Sequence, residues 1–268
     1  MTIPTNPAAL SVLADGCLDG RSALVTGGGS GIGRATALLL ARLGARVAVT
    51  GRREEELAQT VQLAAEANSV HPVLAVACDV REPENVDVML DAVFAEHEFV
   101  DVLVNNAGGQ FMAPAESISY NGFRAVTRLN LDATWYVTTQ VASRSMIERG
   151  YGKIVSITMT PRRGLPGMSH SSAARAGVES LTRTFSVEWG KYGIRTAAIA
   201  PGIVHTAAWE NYGLDPDMMG SKMPTGRLQS ADDVASLVGF LVSPGGDYIS
   251  GATIEADGGF SNLYPIGP

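Results

Sequence analysis

Short apolar runs alternate with longer amphipathic stretches along most of this chain. Ala23-Leu24-Val25 is apolar at every position, the pattern of a strand buried on both faces. A glycine turn follows, and residues 35–43 are apolar enough to form a helix laid on a sheet. Residues 46–50 predict the next strand, and 54 to about 67 a charged helix. Further strands are expected at 73–77, 101–104, 153–157, 194–200 and near 253–255. One helix should begin near Pro83, whose fixed φ suits a first turn. A long helical stretch is expected from about 120 to 148. Val178, Leu181, Phe185 and Trp189 share one face of another helix. The alternation predicts an α/β fold: one doubly wound parallel sheet with helices on both faces. No internal linker breaks the series, so residues 1–268 read as one domain, with 1–17 (Pro4 and Pro7 near its start) as a loose arm.

Length and charge narrow the partners. At 268 residues the chain can bury a substantial core. Its formal charge of −7 argues against nucleic acid, which wants a basic face. Cys17 and Cys78 have no Cys-x-x-Cys spacing. His71, His97, His170 and His205 are scattered, with no metal-ligand spacing, and read as surface or pocket residues. No run approaches the ~18 apolar residues of a membrane span. The N-terminus lacks a basic run before its apolar stretch, and the C-terminus carries no retention or peroxisomal address. A cytoplasmic protein is the expectation.

The first chemistry lies in Thr26-Gly27-Gly28-Gly29-Ser30-Gly31-Ile32-Gly33. Of its glycines, Gly27, Gly31 and Gly33 serve a tight turn, close approach of the backbone to a pyrophosphate, and close helix–strand packing. The unbonded N–H groups and dipole of the following helix make an anion site there. An ordinary strand-to-helix turn would use the same residues.

Read in order, the Gly27-x-x-x-Gly31-x-Gly33 turn, Asp79-Val80, Asn105-Asn106-Ala107-Gly108, Asn130, Pro201-Gly202 and Asp257-Gly258-Gly259 resemble the short-chain dehydrogenase/reductase family over residues 18–259. The resemblance implies a Rossmann-type fold that binds NAD(H) or NADP(H). It implies that Asp79 meets the adenine edge and that Asn106, Ala107 and Gly108 pass beneath the adenine ribose. Ile203 and Thr206, after Pro201-Gly202, resemble the pair that holds the nicotinamide amide. At the end of the second strand an NAD-preferring site places Asp or Glu on the ribose hydroxyls. Here Gly51 fills that slot and Arg52-Arg53 follow, so NADP(H) is expected, a guanidinium forking onto the 2′-phosphate. The same arginines could simply open a solvated helix before Glu54 to Glu56.

The catalytic slots depart from the family. Its usual Tyr, Lys four residues on, and Ser thirteen residues before become Ser171, Arg175 and Thr158, while Asn130 is present. This departure, with Gly109-Gln110-Phe111, Pro114-Ala115-Glu116 and Glu210-Asn211-Tyr212-Gly213, resembles the peroxisomal trans-2-enoyl-CoA and 2,4-dienoyl-CoA reductases. Some of that branch are credited with a Tyr where this chain has Glu179. Ketone reduction needs a proton delivered to an alkoxide. Reducing an enoyl thioester makes an enolate, whose oxygen needs only fixed donors. Thr158, Ser171 and the cofactor ribose could supply these, with Arg175 holding the ribose. The expected activity is therefore NADPH-dependent reduction of a conjugated thioester. A carbonyl reductase or alcohol dehydrogenase with atypical catalysis and a non-catalytic NADP-binding protein stay open. Residues 207–224, with Trp209, Tyr212, Met218, Met219 and Met223, suit a lid over an apolar substrate. Arg162 and Arg163 could meet an anionic acyl carrier or simply be solvated. The resemblance also implies a homotetramer acting on a small acyl or carbonyl substrate.

Overall fold

The computed structural model describes residues 11, 13–67, 69–160, 164–206 and 215–263. Its strands are β1 (Ser22–Thr26), β2 (Arg46–Gly51), β3 (Leu74–Ala77), β4 (Val102–Asn105), β5 (Gly152–Ile157), β6 (Ile194–Pro201) and β7 (Ala252–Ala256). All pair in parallel, in the order β3-β2-β1-β4-β5-β6-β7. The order reverses between β1 and β4, and at such a switch point the strand ends diverge to open a crevice. The structure is thus the doubly wound, Rossmann-type sheet expected.

Neighbouring strand residues face opposite sides, and each side has its own core. Ala23, Val25, Val47, Val49, Val104 and Ile199 pack beneath α1 (Gly31–Arg42) and α9 (Ala231–Val242). Leu24, Ala48, Leu103 and Ile154 pack on the other face beneath α3 (Pro83–His97) and α5 (Ala133–Val141). Burying both faces explains why these strands are continuously apolar. Between them in sequence stand α2 (Glu54–Glu66) and α4 (Tyr120–Thr127). Helix α6 (Ile147–Arg149), α7 (Ser169–Glu188) and α8 (Pro216–Ser221) complete the set.

Three expectations change. Helix α1 begins at Gly31, four residues before the apolar run, because the small residues of the turn form its first turn. The stretch expected as one helix from 120 to 148 is helical throughout but contains π turns at Arg128–Asp132 and Ala142–Met146. The N-terminal arm is not loose over its last residues: Leu13 and Cys17 pack against the α1–α9 core and Leu18 is buried. Apolar side chains there gain more from covering that core than from solvent. Residues 207–214, with Trp209 and Tyr212, and Arg162 and Arg163 lie outside the described residues. No helix among the described residues is long and apolar enough to cross a membrane.

Candidate active site

The glycine turn lies at the carboxyl end of β1, where a cleft of about 290 Å³ opens. It is lined by Gly27, Gly29, Ser30, Gly31 and Ile32, by Asn106, Ala107 and Gly108, by Arg52, Arg53, Asp79 and Val80, and by Thr206. Thirteen of the expected cofactor residues thus meet in one cleft. Gly33 sits behind it: a Cβ there would stand 2.1 Å from the Gly27 carbonyl oxygen, so only glycine lets α1 approach the turn. Asn106 locks the turn to β4, donating from Nδ2 to the Thr26 and Gly27 carbonyls at 3.0 and 3.1 Å. Ser30 precedes α1 without a side-chain capping bond, which leaves the helix's first N–H groups uncapped. These amides offer an anion site next to the exposed Arg52, which makes no hydrogen bond or ion pair among the described residues. Arg53 instead pairs with Glu56 at 2.6 Å.

Asp79 is gripped by Arg81, whose Nε donates to Oδ1 at 2.9 Å and to Oδ2 at 3.1 Å. That bond, more than any other influence, holds its carboxyl below the usual range. It is therefore a fixed anion at the cleft wall. Beside it Cys78 is buried, and burial pushes its thiol up to about 11, so it is not a reactive thiolate.

The catalytic slots converge further along the strand ends. Ser171 is fully buried near the start of α7, and its hydroxyl donates to Gln110 Oε1 at 3.1 Å, with Met159 Sδ at 3.5 Å. Gln110 itself is exposed, and while its oxygen accepts from Ser171 its amide N–H groups make no hydrogen bond among the described residues. Arg175 is buried and donates from Nη1 to the Ile157 carbonyl at 2.7 Å. Its Nη2 lies against Gly108, where an added Cβ would stand only 2.1 Å away. No carboxylate pairs with it among the described residues, and burial lowers its pKa to about 10. A buried cation with unspent donors beside the cleft is a cradle for electron-rich oxygen.

Asn130 and Thr158 are spent locally. Asn130, fully buried in the π turn, accepts from the Gly109 N–H at 3.2 Å and donates to the Gly109 carbonyl at 2.8 Å. It thereby fixes the residue before Gln110. The Thr158 hydroxyl donates to the Ile199 carbonyl at 3.1 Å, across to β6. The next turn is built likewise. Gly202 N–H donates to Gln229 Oε1 at 2.9 Å, and the Ile203 carbonyl accepts from Gln229 N–H at 3.0 Å. Pro201 accepts from the Thr160 hydroxyl at 2.9 Å. Of the pair expected on the nicotinamide amide, Thr206 lines the cleft and Ile203 supports the loop.

Three of the histidines read as surface or pocket residues, His97, His170 and His205, are buried. His97 hydrogen-bonds Ser22 Oγ at 3.0 Å. His170 packs edge-on to Phe111 and accepts the Ser171 N–H at 2.7 Å. Gln110 is the functional candidate that residue-type reasoning passed over. Its sequence signal was its place in Gly109-Gln110-Phe111, which carried the family resemblance but no role, and the bond to Ser171 exists only once α7 is folded.

Over residues 27–261 the chain matches the family described as enoyl-(acyl carrier protein) reductase. It belongs to the short-chain dehydrogenase/reductase family. It is an oxidoreductase of that family, whose homologues bind nicotinamide cofactors. A Bacillus subtilis relative, a probable 2,4-dienoyl-CoA reductase, is 39% identical over 259 residues, 93% of this chain and 100% of its own. The solved citronellol catabolism dehydrogenase of Pseudomonas aeruginosa is 42% identical with a TM-score of 0.84, covering 94% of this chain and 99% of that one. An actinorhodin polyketide ketoreductase crystallised with NADPH is 32% identical with a TM-score of 0.86, covering 91% and 98%. The uncapped helix, the free Arg52 and the buried Arg175 fit the short-chain dehydrogenase/reductase dinucleotide.

Proposed function

We propose that this chain is an NADPH-dependent reductase of the carbon–carbon double bond in a trans-2-enoyl-CoA or similar conjugated thioester. In this reading Gly27, Gly29, Ser30, Gly31 and Ile32 carry the pyrophosphate, Arg52 and Arg53 the 2′-phosphate, and Asp79 and Val80 the adenine. Asn106 to Gly108 run beneath its ribose, Arg175 holds the nicotinamide ribose, and Thr206 meets the carboxamide. When bound, the nicotinamide supplies the hydride. The rest is the work of this chain's side chains.

The observation that carries the reading is the Ser171–Gln110 hydrogen bond. Where the family has a tyrosine acid, this site has a hydroxyl committed to an amide oxygen. A ketone reduced there would leave an alkoxide without a tuned proton donor, which costs roughly 100-fold or more in rate. An enoyl thioester makes a smaller demand. Its carbonyl oxygen gathers charge as an enolate, and the Gln110 N–H groups and the Arg175 charge can stabilise it without giving up a proton. The carbon then takes its proton from water. Thr158 would have to turn its hydroxyl from Ile199 to join them. Phe111, Met112 and Met218, all exposed, offer apolar surface for an acyl chain. The relatives named as dienoyl-CoA reductases support the same substrate class. The similarity to a citronellol catabolism dehydrogenase favours the second reading, an alcohol or carbonyl oxidoreductase with atypical catalysis.

The test is NADPH oxidation by the purified protein. Medium-chain trans-2-enoyl-CoA should outpace simple ketones and aldehydes by at least ~100-fold. Ser171→Ala should slow that reaction roughly ten- to a thousandfold. Faster ketone turnover would establish the second reading. Tight NADPH binding with no turnover of either class would leave a nucleotide-binding protein.

A further inference from the structure

Three charged side chains from one short stretch meet where β2 enters the cleft, and they are not equivalent. Arg52 makes no hydrogen bond or ion pair among the described residues. Arg53 Nη2 lies 2.6 Å from Glu56 Oε2, and all three residues line the cleft. The backbone beneath Glu56 is fixed, its carbonyl accepting from Arg34 Nη2 at 3.3 Å and from Thr60 Oγ1 at 3.2 Å. Arg34 also feels the carboxylate: burial lowers its pKa, and the Glu56 charge works against that. The Glu56 carboxylate therefore acts on two guanidinium groups, and one of them is a proposed 2′-phosphate ligand.

From this geometry we infer that Glu56 is a specificity-determining residue. Its carboxylate occupies Arg53 as an internal counter-ion that a 2′-phosphate must displace, and so it narrows the preference for NADPH over NADH. The inference rests on the phosphate reading of Arg52 and Arg53. An arriving phosphate meets Arg52, which has no ion pair among the described residues and only the more distant charge of Asp79 near it, and Arg53, which Glu56 already pairs. NADH brings only ribose hydroxyls and leaves the Arg53–Glu56 pair intact. The side chains are 70% and 31% exposed, so the pair is weakly held and can open. Once displaced, the carboxylate keeps Arg34 as a neighbour. Its charge still opposes the phosphate across the cleft. Glu56 is invisible to a reading that looks for an acidic residue only at position 51, because it reaches the cleft from the first turn of α2.

The test is a fluorescence titration of NADPH and NADH against the wild-type protein, Glu56→Gln, Arg53→Ala and the double variant. Glu56→Gln should raise the NADPH-to-NADH affinity ratio about three- to tenfold at low ionic strength. The gain should shrink in about 1 M salt and vanish in the Arg53→Ala background. An unchanged ratio in Glu56→Gln, or a gain that survives Arg53→Ala, overturns the inference. So does weaker NADH binding with NADPH unaltered, which would make Glu56 a ribose-hydroxyl acceptor. Failure of the underlying phosphate reading looks different: Arg52→Ala with Arg53→Ala would then keep the wild-type ratio, however Glu56 behaves.

Discussion

At position 51 a missing side chain carries the chemistry. A Cβ added to Gly51 would meet only Leu57 Cδ2, at 3.7 Å, an ordinary van der Waals contact, so the position does not require glycine for space. With no carboxylate in that slot, Arg52 lines the cleft without an ion pair among the described residues, its charge felt by Asp79 across the cleft. NADPH should therefore bind at least tenfold more tightly than NADH, about 1.4 kcal/mol. Gly51→Asp should reverse that order without unfolding the protein, because the added carboxylate repels the phosphate and accepts from ribose hydroxyls. Paired titrations check this. Equal affinities in the wild type, or an unchanged order in Gly51→Asp, would remove the phosphate from this corner. Arg175 shows the converse. Its side chain is placed by burial and one carbonyl, so its charge stays available to the site.

Among the elements, the π turn at Arg128–Asp132 and the contact of α3 with β1 have the clearest consequences. The extra residue in the π turn aims Asn130 at Gly109, so a helix irregularity fixes the loop that carries Gln110. At the far end of the sheet, His97 closes α3 and meets Ser22 of β1. Burial lowers the pKa of His97 and of His170, so both are neutral in the folded state at neutral pH. The unfolded chain takes up their protons below about pH 6.5, and the folded chain does so only at lower pH. Stability is thus fully present above that range and is lost as pH falls through it. Denaturant midpoints should be level from about pH 7 to 8 and drop by pH 5.5, ahead of any carboxylate titration. Equal midpoints at pH 7.5 and 5.5 would show that neither ring's burial is felt.

For the whole molecule, the unexplained surface is apolar. Tyr120, Phe123, Trp135 and Val187 are exposed on α4, α5 and α7; α5 packs on β4, α7 on β6, and α4 against α7. Scattered apolar side chains are normal on a surface, but these lie on elements next to one another. We expect a homotetramer with these helices at one interface. Light scattering at micromolar concentration checks it: a monomer there would leave Trp135 and its neighbours as ordinary surface. Trp135→Glu should shift the assembly toward smaller species while leaving NADPH affinity within about twofold, since the cleft lies at the strand ends.

The alternation of apolar runs and amphipathic stretches was enough to determine the doubly wound sheet, because a strand covered on both faces must be apolar at every position. The glycine spacing likewise made the tight turn after β1 legible, since a Cβ at Gly33 would stand 2.1 Å from the Gly27 carbonyl oxygen. Both constraints are local, and so they are legible in order along the chain. The side-chain partnerships were decided only in three dimensions. Asn130 could be named as a family position, but its commitment to Gly109 depends on a π turn that no periodicity announces. Ser171 and Gln110 are sixty-one residues apart in sequence and meet because the start of α7 and the loop after β4 come together beyond the strand ends. Sequence assigns residue types to slots. Which hydroxyl is spent on a carbonyl, which arginine already has a counter-ion and which cation is left unpaired are set by packing.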